Sequence, residues 1–212
     1  MPSINYKLKD GTRVPGVTTV ISGNLGWNKQ PLMYWVWQQG MDGKNFRETT
    51  EKAADAGTLG HYLIECHIKH IPPDFRGKSM ELIEKAKTSL LNFIQWAEVV
   101  DFQVVETEVH LISEQYKYGA TPDCIARIKG KLALFDWKTG SGTYADHLIQ
   151  IEAYRHVWDE CNPDTPIEDG FYILRIDKDN AAFDWKYRHS IPEAWEAFTH
   201  LLALHKLKKL IK

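Results

Sequence analysis

The chain has 212 residues, of which 43% are hydrophobic and 25% charged, with a formal net charge of −2. These values suit one globular domain that buries a sizeable core, and no run approaches the roughly 18 apolar residues of a membrane span. The near-neutral balance gives no overall attraction for polyanions, so contact with nucleic acid would have to come from local clusters. Three widely spaced cysteines, Cys66, Cys124 and Cys161, argue against a disulfide framework and against a four-thiolate zinc or iron–sulfur site. Each reads as a small buried apolar residue. The opening residues lack the apolar stretch of a secretory signal, so a cytoplasmic protein is expected.

In chain order, residues 5–21 predict a β-hairpin with Asp10-Gly11 as its turn and Val14, Val17, Val20 and Ile21 as strand material. Met33, Trp35, Val36 and Trp37 predict an aromatic helix over 30–40, ended by Gly40. A helix over about 46–70 is weakened by Gly57 and Gly60 and closed by Pro72-Pro73. Another, from about Ser79 to Val99, carries an apolar stripe of Leu82, Ile83, Ala86, Leu90, Phe93, Ile94 and Ala97.

Strands follow at Phe102–Ile112, Tyr118–Ile128 and Lys131–Trp137. A glycine-rich loop over Thr139–Thr143 leads into a helix from about Tyr144 to Glu160, then a strand over Gly170–Ile176 and an edge strand near Phe183–His189. Ser190 and Pro192 suit the start of a final helix. The order predicts an α/β fold with a mixed central sheet flanked by helices. One domain is expected: an N-terminal hairpin and helices over 1–100, a sheet core over 101–190 and a C-terminal helix over 191–212.

With Lys129-Gly130 as a two-residue turn, Ile128 faces Lys131, and counting back places Asp123 directly opposite Asp136. Paired residues share a face, with β-carbons about 4.5–5.5 Å apart, and Lys138 projects from that same face. Two carboxylates this close repel unless a proton or cation lies between them. Their apolar flanks (Ile125, Ala126, Ile128, Leu132, Leu134, Phe135) make the placement costly, which a metal site would explain. Oxygen ligands suit Mg²⁺ or Mn²⁺. With Ser113–Tyr116 as a loop, Glu106 falls opposite Asp123 and Glu108 shares its face. Both either join the acidic cluster or face solvent, and a slip of one residue would separate the groups.

Gly119-Ala120-Thr121-Pro122-Asp123, then Leu134-Phe135-Asp136-Trp137-Lys138-Thr139-Gly140, then Gln150-x-x-x-Tyr154 together resemble the PD-(D/E)xK nuclease superfamily. The likeness is to its RecB-type branch of phage and mitochondrial genome-maintenance exonucleases. Gly57-Thr58-Leu59-Gly60-His61-Tyr62-Leu63-Ile64-Glu65 is similar to that branch's helical motif, and Pro15-Gly16-Val17-Thr18-Thr19-Val20-Ile21 to its N-terminal strand motif. The resemblance implies a restriction-endonuclease-like core with helical N-terminal additions. It implies Asp123, Asp136, His61 and the Trp137 carbonyl as metal ligands, and Lys138 as the group that orients water and steadies charge on phosphate. Gln150 and Tyr154 would touch the DNA backbone or brace the site. The second acidic position here is Asp136; the superfamily accepts aspartate or glutamate there.

The expected activity is Mg²⁺- or Mn²⁺-dependent hydrolysis of DNA by an exonuclease of phage, recombination or repair type, acting in the host cytoplasm if phage-encoded. A structure- or sequence-specific endonuclease is the alternative within the enzyme class; a non-catalytic DNA-binding module of the same fold lies outside it. Partners would be DNA and a recombinase, annealing protein or helicase. The chain has no phosphate-binding Gly-x-x-x-x-Gly-Lys-Thr/Ser loop to drive unwinding itself. Glu65 lies one turn after His61 and reads as a ligand, a substrate contact or the partner of a nearby cation. Trp35, Trp37, Trp96, Trp158 and Trp195 read as core, while Trp27 and Tyr34 are candidates to stack on bases. Arg76-Gly77-Lys78 and the C-terminal His205–Lys212 cluster are candidate DNA contacts, or simply solvated termini.

Overall fold

The computed structural model describes residues 4–27, 29–138, 142–176 and 183–211. Four helices come first: α1 (Val17–Asn24), α2 (Lys29–Met41), α3 (Phe46–Ile68) and α4 (Met80–Val100). Strands β1 (Phe102–Thr107), β2 (Leu111–Ser113), β3 (Tyr118–Ala120), β4 (Cys124–Ile128) and β5 (Lys131–Lys138) follow. Then come α5 (Ala145–Cys161), β6 (Gly170–Ile176), β7 (Phe183–Arg188) and α6 (Pro192–Ile211). Thr139, Gly140 and Ser141 of the predicted glycine-rich loop lie outside the described residues.

Five strands form one mixed sheet in the order β1-β4-β5-β6-β7. Only the β5–β6 pair is parallel, and α5 makes the crossover that a parallel pair requires. The predicted α/β architecture is therefore the observed one. Strand alternation sends side chains to two cores. Ile125, Leu132, Leu134, Phe171 and Ile173 face α1, α5 and α6. Cys124, Ala126, Phe135, Trp137 and Leu174 meet Ile64 of α3 and Phe93 and Trp96 of α4. The sheet is thus the middle of three layers, and Asp123 and Asp136 belong by parity to the α5 side. Among the described residues no helix is long and apolar enough to cross a membrane.

Several expectations are corrected. The first hairpin is shorter than predicted: Tyr6–Val14 pairs around Asp10-Gly11, but Val17–Asn24 is helical. Its β-branched residues favour a strand; the buried set Val17, Val20 and Ile21 nevertheless has helical spacing, and its burial against α5 and α6 decides the outcome. α2 forms where expected but is not core, since none of its residues is buried and Met33 and Trp37 are 70% and 57% exposed. Trp35 and Trp195 are only partly covered, while Trp96 and Trp158 are buried as expected. Cys161 is exposed, unlike Cys66 and Cys124.

The two long strands predicted before Lys129 are each broken. Segment 102–112 divides into β1 and β2, and 118–128 into β3 and β4, with β2–β3 forming a separate ribbon. Glu108 adopts a left-handed backbone (φ 50°) and Pro122 has no N–H to give a ladder, so neither segment continues through its break. α3, by contrast, runs unbroken through Gly57 and Gly60.

Candidate active site

The β4–β5 hairpin has the predicted register, with Ile128 opposite Lys131 and Cys124 opposite Phe135. Lys129 and Gly130 both have positive φ (50° and 82°), as the tight turn of a twisted hairpin demands. One step beyond the ladder's end, Asp123 Oδ2 accepts the Trp137 backbone N–H at 2.7 Å. That bond fixes one carboxylate oxygen beside Asp136, and the Trp137 indole is buried on the opposite face of the sheet.

Asp136 is 1% exposed. Its Oδ2 lies 2.7 Å from Lys138 Nζ as a charge contact, without hydrogen-bonding geometry. Gln150, on the facing turn of α5, spans the pair with both ends of its amide: Oε1 accepts from Lys138 Nζ at 3.2 Å, and Nε2 donates to Asp136 Oδ1 at 3.3 Å. The same Nε2 lies 2.8 Å from the Tyr154 hydroxyl, one helical turn on. Asp136, Lys138, Gln150 and Tyr154 are therefore one connected group.

The acidic strand beside Asp123 differs from expectation. A register shift between Val104 and Glu106 puts Glu106 opposite Ile125, where it is exposed. Glu108 takes the place opposite Asp123, its N–H donating to the Asp123 carbonyl at 3.2 Å. The β2–β3 loop also closes one residue later than predicted, with Ser113 rather than Ile112 ending its strand. This moves the pairing from the loop to Glu106 by two residues and so preserves the face there; beyond the bulge at Val105 the offset from the predicted register is one residue.

Glu108 also lines a cavity of about 450 Å³ with Thr58, Leu59, His61, Tyr62, Glu65 and Lys78. His61 and Glu65 thus border the cluster from α3, and Glu65 is ion-paired with Lys69. Arg76 is held by Asp74 at 2.5 Å. Trp27 and Tyr34 are exposed. Two C-terminal lysines meet backbone carbonyls, Lys206 at Tyr116 (3.0 Å) and Lys208 at Gly23 (3.3 Å).

The electrostatics of the cluster share one sign. Burial, then the charges of Asp123 and Glu65, push the Glu108 carboxyl up to about 7. Burial and then Asp123 raise Asp136, against the pull of Lys138. Burial pulls Lys138 down, but Asp136 and Asp123 outweigh it, so the ammonium is held above the ordinary lysine range. Glu108 and Asp136 hold their protons more tightly first because burial penalises their charge and then because carboxylates stand close by, whereas Lys138 does so because of those carboxylates alone. Among the described residues no three His, Cys, Asp or Glu side chains are arranged to hold a metal ion as they stand. The donor set nonetheless suits a hard divalent cation: oxygen ligands in excess of cations, with the charge of the buried Asp136 Oδ2 met by the Lys138 ammonium.

Sequence reasoning missed the residues that hold the Asp123 loop. Thr121 Oγ1 lies 2.8 Å from Tyr6 OH and 2.9 Å from His110 Nδ1. The Gly119 N–H donates to the Pro15 carbonyl at 2.9 Å, and a β-carbon at Gly119 would overlap the Tyr6 ring. This gives a steric reason for glycine in the Gly119–Asp123 motif and links it to the Pro15-Gly16 motif. The only advance sign was the Pro15-Gly16 segment itself. Glu152 was missed too: buried, it accepts the Ile191 N–H at 3.0 Å and so ties α5 to the start of α6.

No family model matches the chain, and no curated protein matches it. Among solved structures the chain is similar to LHK-Exo in complex with dAMP, at 11% identity over 76% of this chain and 87% of that one, with a TM-score of 0.44. It is also similar to SSO0001, at 18% identity over 56% and 57% of the two chains, with a TM-score of 0.34.

Proposed function

We propose that the chain is a single-domain DNA nuclease that hydrolyses phosphodiester bonds with Mg²⁺ or Mn²⁺, of the exonuclease type that the motif resemblance implies. The observation that carries this reading is the buried Asp136–Lys138 pair beside Asp123 and Glu108, a site with more carboxylate than cation. Asp123, Asp136 and the Trp137 carbonyl would hold the metal, with His61 and Glu108 at its margin. Once bound, the metal would supply a water acidic enough to attack at neutral pH and would neutralise charge on phosphate.

The remaining chemistry belongs to the chain. Lys138, kept protonated by Asp136 and Asp123, offers its ammonium to the phosphate oxygen on which charge grows. A fixed cation in a buried site acts there without reorganisation. Gln150 shares the lysine with Asp136, its carbonyl taking one of the three ammonium protons and so setting the direction of the others. Tyr154, whose phenol burial holds well above its usual range, stays neutral and keeps the Gln150 amide in that orientation.

The test is digestion of linear and circular, single- and double-stranded DNA with Mg²⁺, Mn²⁺ or chelator, alongside Lys138→Ala and Asp123→Ala. Metal-dependent cleavage lost in both variants is expected, with metal affinity falling strongly only in the aspartate variant. Degradation of linear but not circular DNA selects exonuclease over endonuclease. Metal-independent cutting, or full activity in either variant, overturns the mechanism.

A further inference from the structure

The charge around the cluster is lopsided. On its β1–β4 side stand Glu108 and Glu65, and the neighbouring cations Lys69 and Arg76 are already neutralised by Glu65 and Asp74. A polyanion approaching there meets Glu108 and two ion pairs, with Lys78, among the described residues, as the cation left on the cavity wall. The opposite side carries Lys138 and, two strands along, Lys186.

Asp136 pairs with Ile173, and Ile173 with Lys186, so the three residues form one row across the sheet and share its α5 face. Two strand spacings of about 4.8 Å put the ends of that row roughly 10 Å apart. In the next row Lys138 pairs with Arg175, and Arg175 with Asp184, whose carboxylate takes the guanidinium at 2.6 Å. Lys186 is different: among the described residues no carboxylate is paired with it. Its ammonium reaches the Thr143 carbonyl at 3.4 Å, a long bond given up at little cost. Its charge is also felt at His147, whose pKa is lowered by burial, then by Lys138, with Lys186 adding to the effect.

We propose that Lys186 is a phosphate-binding residue that holds the substrate strand on the β6–β7 side of the catalytic carboxylates, within about three nucleotides of the scissile bond. The distance follows from the roughly 10 Å row and an axial rise of about 3.4 Å per nucleotide of a strand. This rests on the nuclease reading and adds the direction from which the strand lies on the site. Lys186 acts here by positioning, not by touching the reacting atoms.

The experiment measures binding of a short single-stranded oligonucleotide to the full chain by fluorescence anisotropy, in chelator and over a series of salt concentrations. Lys186→Ala is expected to weaken binding about three- to tenfold at low salt and to reduce the slope of log K against log salt by about 0.7. Lys186→Arg should restore most of the affinity. Lys131→Ala, at the far end of β5, should stay within about twofold of the parent. In Mg²⁺, Lys186→Ala should raise KM while leaving kcat nearly unchanged. Unchanged affinity and slope in Lys186→Ala, or an equal loss in Lys131→Ala, overturns the proposal and leaves the nuclease reading standing. Failure of the parent chain to bind any oligonucleotide overturns both.

Discussion

The β4–β5 hairpin and the β1 edge both deliver acids to the same cluster, but they are specified very differently. The hairpin is closed by two residues, so its register is fixed locally, and the positions of Asp123 and Asp136 follow from the turn. The β1 edge reaches the cluster from the β2–β3 turn: the offset set by Ser113 opposite Tyr118 carries past a left-handed Glu108 to Thr107 opposite Cys124, and changes only further on, at the bulge at Val105. A two-residue turn therefore places the central acids, whereas the acid at the margin depends on where a four-residue loop closes and on a strand break between that loop and the acid.

The largest contrast should come from exchanging acids on the two sides. Asp123→Ala and Asp136→Ala should lower kcat by about a thousandfold or more, in the range of lost transition-state stabilisation. Glu108→Gln should cost about tenfold and Glu106→Gln less than twofold; equal losses in the two glutamines would show the register set by the β2–β3 loop to be misplaced. Chelator should mimic the aspartate variants, and thermal melts with Mn²⁺ should show a rise in Tm that Asp123→Ala abolishes.

Titration sharpens the comparison further. Glu108 holds its proton more tightly folded than unfolded, with its pKa raised from 4.5 to about 7. The folded state therefore binds the extra proton between those values, and metal-free stability falls as pH rises through that window. Glu108→Gln should flatten this dependence, as chemical denaturation at pH 5 and pH 7.5 would reveal. The effect is reduced by solvent screening, because Glu108 is only half-buried. The smallest effects belong to the turn. Gly130→Ala should destabilise by about 1 kcal/mol because of its positive φ, and Lys129→Asn should stabilise by about 0.5 kcal/mol.

Much of the fold was legible in the sequence because its signals are short-range. The α4 stripe, the Lys129-Gly130 turn and the α5 spacing of Gln150 and Tyr154 each depend on neighbours within a few residues. Legibility failed where distant contacts override local preference. Val17–Asn24 is helical because α5 and α6 cover it, and Glu108 replaces Glu106 because the β2–β3 loop closes one residue later than predicted. The exposure of α2 was hidden because aromatic content alone does not say whether anything covers it. Tyr6 and His110 carried no local signal, and Thr121 was marked only as part of a motif, since their joint role exists only in three dimensions.

The Tyr6–Thr121 bond spans 115 positions of the chain. At the pace of ribosomal synthesis, about 5–20 residues per second, the opening hairpin waits on the order of ten seconds before its anchor emerges. Until then nothing pins the segment leading to Asp123, so a nascent or prematurely terminated polypeptide has no assembled acidic centre. The brace closes only once the 115 positions between its two halves have been made, a delay written into the order of the residues.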